Sequence, residues 1–236
     1  MNGDTPLRLR PGTPSRVPPP PSSPAPEAAA VEVIEPFAYV VTKRAFDLIV
    51  GGVIVLLLVP VIPLVAIMIR FDSVGPVFYR QDRVGKGGRP FKFYKFRSMR
   101  ADSERLRADL ESRNELAGPV FKMKNDPRVT AVGQFLRRSS LDEIPQIFNV
   151  LKGDMSIVGP RPALPGEVAR YEAWHRRRLD VKPGITCLWQ VAGRNQVAFD
   201  EWMRLDLEYM RRRSLRADVG IFLRTIPAVI ARRGAY

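Results

Sequence analysis

Histidine and cysteine are all but missing: the 236 residues hold one of each, His175 and Cys187. A single cysteine excludes an internal disulfide, and the two together make a His/Cys metal cluster implausible. Acids are scarce as well, 24 Asp and Glu against 38 Lys and Arg, a formal charge of +14. That balance suits phosphates, nucleic acid or the anionic face of a membrane. The P-loop glycine pattern, the nucleophile elbow and the dinucleotide fingerprint are all absent. No apolar stretch precedes a small-residue cleavage site near residue 30, so no signal peptide is read.

What the chain does have is unevenly spread. Ten prolines fall in residues 1–36, around "VPPPPSSPAPEAAA". Such a segment buries too little apolar surface to offset its ordering entropy and reads as a disordered tail. "KRAFDLIVGGVIVLLLVPVIPLVAIMIR" follows, with Asp47 the only charge between Arg44 and Arg70. Roughly twenty apolar residues suffice to cross a bilayer as a helix. Pro60 and Pro63 interrupt the run, and each removes a backbone donor, which predicts a break. Basic residues flank both ends, so the positive-inside bias gives no direction of crossing. A re-entrant segment and a single-pass anchor both remain open on this pattern.

From residue 71 on, the pattern is that of a soluble domain. "VGPVFYRQDRVGKGGRPFKFYKFRSM" alternates apolar and basic positions around glycines and predicts a β-hairpin. "ADSERLRADLESRNEL" reads as a polar helix. Ile144, Ile147, Phe148 and Leu151 recur at helical spacing, with Gly153 as the stop. "MSIVGPRPALP" and "KPGITCLWQVAGRN" read as loops. Residues 199–213 and 215–233 read as two closing helices, the second basic and amphipathic, of the kind that lies in a membrane interface.

Within "RRSSLDEIPQ" two acids, Asp142 and Glu143, stand together behind Arg137 and Arg138. Ser140 and Glu143 have the spacing of a capping box, the bland reading of the pair. The sharper reading is a nucleophile beside an anionic substrate. The pair is expected in the first turn of the following helix, where the dipole favours an anion. Successive helical residues diverge by about 100°, so the two acids are not expected to face one atom.

These stretches together resemble the bacterial sugar transferases, the monotopic polyprenyl-phosphate phosphoglycosyl transferases. The matching motifs are "KRAFD", "GPVFYRQDRVGKGG", "FKFYKFRSM", "NDPRVTAVGQFLRRSSLDEIPQIFNVLKGDMSIVGPRP" and "KPGITCLWQVAGRN", in family order across residues 43–233. Larger members carry an N-terminal bundle of membrane helices; this chain is expected to be the small catalytic-core form. The resemblance implies a mostly helical α/β fold, a small catalytic domain on a re-entrant membrane helix with interfacial amphipathic helices. It divides the chain into the tail (1–36), the membrane helix (37–70) and a cytoplasmic catalytic domain (71–236) at the bacterial inner membrane.

The implied reaction moves a sugar 1-phosphate from a UDP-sugar to polyprenyl phosphate, releasing UMP. Asp142 is the implied nucleophile and Glu143 its partner, with Mg²⁺ held by the same two acids. Arg138, Arg161 and Arg194 are the implied phosphate ligands, since planar guanidinium forks suit phosphate; Lys95 and Arg97 are candidates for the same role. Asp206 and Asp218 match acidic positions of the family pattern, either as supporting acids or as structural partners of arginines. Pro60 and Pro63 are expected to make the membrane-helix break, where small members have Ser-Pro and this chain has Val59-Pro60. Arg176–Arg178 and Arg211–Arg213 are read as solvated or lipid-facing charges. Trp189 and Trp202 are read as core or interface, and His175 and Cys187 as non-catalytic. Expected partners are the donor, the lipid acceptor, anionic phospholipid and downstream glycosyltransferases, with no nucleic acid. Two rival readings are a membrane-anchored nucleic-acid binder, which needs no acidic pair among its arginines, and a non-catalytic scaffold of a polysaccharide assembly complex.

Overall fold

A computed structural model describes residues 36–115, 118–121, 123–192 and 198–230. The predicted tail (all but Pro36), Arg194, Arg232 and Arg233 lie outside the described residues. The fold is mostly helical, with two small sheets.

The apolar run forms two helices, α1 (Phe37–Leu58) and α2 (Val61–Asp72), bent by 61° at Val59-Pro60. Among the described residues no single helix is long and apolar enough to cross a membrane, although this bent pair passes by length and composition. The two prolines do different jobs. Pro60 sits at the break with φ −66°, whereas Pro63 lies in the first turn of α2, where an amide has no intrahelical acceptor to lose. The break therefore rests on Pro60.

Both arms pack on the rest of the chain. Phe46, Val50, Ile54 and Val55 of α1 lie against a core built on Phe93, Ile147, Val150 and Ile157. Val65 and Ile69 of α2 join Phe96 and Leu136 in a second cluster. The charges beside the apolar run are consumed by the protein rather than left as flanks. Lys43 donates to Asp218 at 2.9 Å, and Arg44 donates to the carbonyls of Val150 and Leu151. Asp47, 3% exposed, accepts from the Ser156 hydroxyl and the Ile157 amide.

The predicted hairpin is present as β1 (Phe78–Val84) and β2 (Pro90–Phe96), antiparallel with Phe78 opposite Phe96. The polar helix is shorter than predicted: α3 (Ser103–Leu110) gives way to a 3-10 turn at Glu111–Arg113. Next come α4 (Ala131–Arg138), capped by the Thr130 hydroxyl, and α5 (Gln146–Lys152), which ends at Gly153 in the left-handed region as predicted. An added Cβ at Gly133 would overlap the Ser98 carbonyl, so only glycine lets α4 come this close to the end of β2. Asn149 of α5 is fully buried and meets the β2 backbone twice, donating to Lys92 O at 2.7 Å and accepting from Tyr94 N at 3.2 Å.

The two stretches predicted as loops contain β3 (Ser156–Val158) and, after the short helices α6 (Pro165–Ala169) and α7 (Ala173–Arg176), β4 (Gly184–Thr186). The two strands pair in parallel. At three residues each they are too short to carry a periodic signal. A short α8 (Leu188–Ala192) precedes the two predicted closing helices, α9 (Phe199–Arg211) and α10 (Leu215–Ile230).

Candidate active site

Asp142 and Glu143 do not open α5. They occupy a one-turn 3-10 helix, Leu141–Glu143, entered through Ser140 with φ +58°. In that conformation the Ser140 side chain makes no cap bond, so the predicted capping box is absent. The two carboxylates also do face one atom, against expectation. Lys95 Nζ of β2 lies 3.4 Å from Asp142 Oδ2 and 2.9 Å from Glu143 Oε1. Arg161, beyond β3, reaches Glu143 Oε1 at 3.0 Å. A tight turn ahead of α5 and an alternating strand thus bring two acids and two cations together.

The environments separate the two acids. Burial alone would raise Glu143, but the Lys95 and Arg161 charges outweigh it and hold its carboxyl below the usual range. For Asp142 burial prevails: its carboxyl is pushed up, Glu143 adds to the rise, and Lys95 and Arg137 oppose it. Glu143 is thus the fixed anion of the pair. Asp142 is the more basic carboxylate, with one weak contact to Lys95.

All four residues line a cavity of about 560 Å³. Of the two consecutive arginines, Arg137 lines it, donating to Ser98 Oγ at 3.0 Å; Arg138 is exposed and does not line it. This departs from the phosphate role given to Arg138. Helix phase decides the matter, because α4 buries Gly133 and Leu136, and Arg137 follows them toward Ser98. Arg83 of β1 was missed by sequence reading. It lines the cavity with its pKa lowered to about 10 by burial and by nearby Arg161. Alternation along the hairpin, which sets Arg83 opposite Phe91, was the available signal.

Arg97 lines the cavity too, but its guanidinium is turned to the end of α2, where it donates to the Ile69 and Ser73 carbonyls and to Ser73 Oγ. The other two acids stand outside the cavity lining. Asp206, with its carboxyl pushed up to about 6 by burial, pairs with Arg178 at 2.6 Å. Arg178 is therefore a buried ion-pair partner, not the solvated charge expected. Asp218 is fully buried and accepts from Tyr39, Lys43 and Tyr209. Cys187 is buried, and burial pushes its thiol well up; His175 is buried and lowered for the same reason.

A cavity walled by arginines, with a lysine-bridged acid pair on its surface, has the layout of a phosphate-handling transfer site. The comparisons give that class its family: the chain belongs to the bacterial sugar transferases, whose pattern matches residues 38–232. It is 45% identical over 84% of its length to a galactosyl transferase, CpsE, of Streptococcus agalactiae. It is 43% identical over 82% of its length to the undecaprenyl-phosphate galactose phosphotransferase of Salmonella typhimurium. The chain spans 44% and 41% of the lengths of those two relatives. The exopolysaccharide production protein ExoY of Sinorhizobium fredii is 39% identical, with 83% of this chain aligned to 88% of that protein.

Proposed function

We propose that this protein is a phosphoglycosyl transferase that moves a hexose 1-phosphate from a UDP-hexose to undecaprenyl phosphate, a first step of exopolysaccharide or capsule assembly. The observation that carries the reading is the Asp142–Lys95–Glu143–Arg161 cluster on the cavity wall, with Asp142 buried and the other three half-buried, in a chain of this family. Names of the relatives supply the donor and acceptor: galactose and undecaprenyl phosphate in one, UDP-glucose in that of Xanthomonas campestris.

Asp142 attacks the phosphorus that bears the sugar, and its carboxylate oxygen forms the new P–O bond. The bond to the bridging oxygen breaks, and UMP leaves with the electron pair. The resulting acyl phosphate splits one difficult transfer into two. An oxygen of the lipid phosphate then attacks the same phosphorus. The bond to Asp142 breaks, the carboxylate is restored and a lipid diphosphate sugar is formed. A raised pKa suits Asp142 to this role, because a more basic carboxylate is a better nucleophile. Glu143, held anionic, keeps Lys95 and Arg161 within reach of the diphosphate, where positioned cations stabilise the transferring group.

Asp142 and Glu143 also fit a magnesium ion shared with substrate. Magnesium in phosphate sites takes one or two carboxylates and completes its shell with phosphate and water. The described residues contain no group of three metal-ligating side chains that would make a protein-only cage. When bound, the ion neutralises charge on the transferring phosphate.

The bent helices fit a re-entrant anchor on the cytoplasmic face of the inner membrane. Lys43, Arg44 and Asp47 tie one arm to the catalytic domain, and Arg97 ties the end of the other. Two arms fastened to one body favour entry and exit by the same face. Leu56, Leu57, Val59 and Leu64, all at least 51% exposed, leave an apolar apex and outer surface for lipid.

The reaction is tested by mixing UDP-galactose or UDP-glucose with polyprenyl phosphate and Mg²⁺ and measuring UMP. UMP release and, without acceptor, a sugar-phosphate adduct on Asp142 by mass spectrometry are expected; an adduct elsewhere refutes the nucleophile. For the anchor, a cysteine placed in residues 1–36 should resist an impermeant thiol reagent in intact spheroplasts. Labelling from outside refutes the re-entrant reading.

A further inference from the structure

A second wall of the cavity has no place in the scheme above. It is made by Trp189 of α8, Trp202 of α9 and Arg178, each at least nine-tenths buried. The two indoles stack face to face, with centroids 4.5 Å apart and planes 9° from parallel. Yet Trp189 Nε1, Trp202 Nε1 and Arg178 Nε all lack a hydrogen-bond partner among the described residues. Buried indole N–H groups normally find an acceptor, since an orphaned donor is costly. Arg83 Nε and Arg97 Nε and Nη1, on other residues that line the cavity, lack a partner as well, and this set of orphaned donors around one cavity points to an acceptor-bearing ligand.

The rest of Arg178 says what kind of acceptor. Its terminal nitrogens are taken by the Tyr171 hydroxyl at 2.8 Å, the Arg161 carbonyl at 2.8 Å and the Asp206 carboxylate at 2.6 Å. Asp206 thereby compensates the guanidinium charge, and the wall offers N–H donors with little net charge. That suits neutral oxygens, carbonyl or hydroxyl, rather than phosphate. Phosphate is better served by Lys95, Arg137 and Arg83. The wall also adjoins the reacting groups: Arg178 holds the Arg161 backbone, and the Arg161 side chain reaches Glu143. In a nucleotide sugar, a neutral ring rich in oxygen lies on either side of the diphosphate. The hydrocarbon of a polyprenyl acceptor has no oxygens to offer these donors.

We infer that Trp189, Trp202 and Arg178 form the subsite for a neutral, oxygen-bearing ring of the nucleotide-sugar donor, an inference that rests on the donor reading above. The ring belongs to the uridine or is the hexose, and one experiment separates them. Trp189→Phe and Trp202→Phe keep an aromatic ring in the stack and each remove one donor. Equilibrium binding of UMP, UDP-galactose and UDP-glucose is measured by titration calorimetry on the full chain in lipid nanodiscs, for wild type and both variants. A single lost hydrogen bond weakens binding roughly three- to tenfold. A loss of that size for UMP and both sugar nucleotides assigns the wall to the uridine. The same loss for a sugar nucleotide with UMP unchanged assigns it to the hexose. Two separate variants keep the test intact if one fails to fold, as thermal unfolding would show. Affinities unchanged within about twofold for every ligand, in folded variants, overturn the subsite while leaving the transferase reading standing. Wild-type protein that binds none of the three overturns both.

Discussion

Two buried carboxylates, Asp142 and Asp218, have similar neighbours and different fates. Each lies beside a lysine and is shielded from water, at 6% and 0% exposure. Asp218 is saturated: Tyr39 and Lys43 donate to one oxygen and Tyr209 to the other, at 2.7–3.0 Å. Its position ties α1 to α10 and leaves no oxygen free for a substrate. Asp142 has one long contact, 3.4 Å to a lysine shared with Glu143, and it borders a cavity. Burial and a nearby cation are common to both. What sets the proposed nucleophile apart is incomplete satisfaction next to open volume.

The largest effect that would break this contrast is on turnover. Asp142→Asn should lower kcat by roughly 10⁴-fold or more, as loss of a nucleophile does elsewhere. The amide is nearly isosteric, so thermal unfolding should stay close to wild type. Near-normal UMP release would put Asp142 in the same class as Asp218. The converse substitution, Asp218→Asn, should cost about 3 kcal/mol of stability, because it leaves Lys43 without its buried counter-charge. Denaturant unfolding in detergent measures this, and turnover per folded molecule should be preserved. A smaller effect sharpens the comparison through pH. Asp142 must be ionised to attack, and its raised carboxyl places the acid limb of the rate profile above the ordinary carboxylate range. Glu143→Gln removes an anion that contributes to the rise, so the limb should move to lower pH, with kcat reduced by roughly 10²-fold. A limb that moves upward would mean that Glu143 does not act on Asp142 through its charge.

The parts of this structure that were legible in the sequence are those set by local pattern. The hairpin follows from alternation around glycines, α5 from the apolar positions Ile147, Phe148 and Leu151 and from Gly153, and the break between α1 and α2 from Pro60. What escaped depends on partners far along the chain. Lys43 and Arg44 look like flanking charges until their partners, 175 and 106 residues away, are known. Ser140 has the right side chain for a cap, but its left-handed backbone turns the chain into a 3-10 turn instead. That turn is what lets Asp142 and Glu143 share Lys95. The choice between Arg137 and Arg138 needed the phase of α4, a helix not recognised in the sequence. Arg161 was legible from its motif and lies against Glu143 on the cavity wall; Arg97, a lesser candidate in the sequence, serves the end of α2.

Asn149 has one further consequence. A two-stranded ribbon such as β1–β2 ends in unpaired backbone groups, and an open edge invites pairing with another chain. The side-chain amide of Asn149 imitates a neighbouring strand, giving a donor to Lys92 O and an acceptor to Tyr94 N. A helix thereby closes the outer edge of β2, a task that would otherwise need a third strand. An edge closed in this way offers another chain fewer open backbone groups for sheet-to-sheet pairing. That edge belongs to the very strand that carries Lys95.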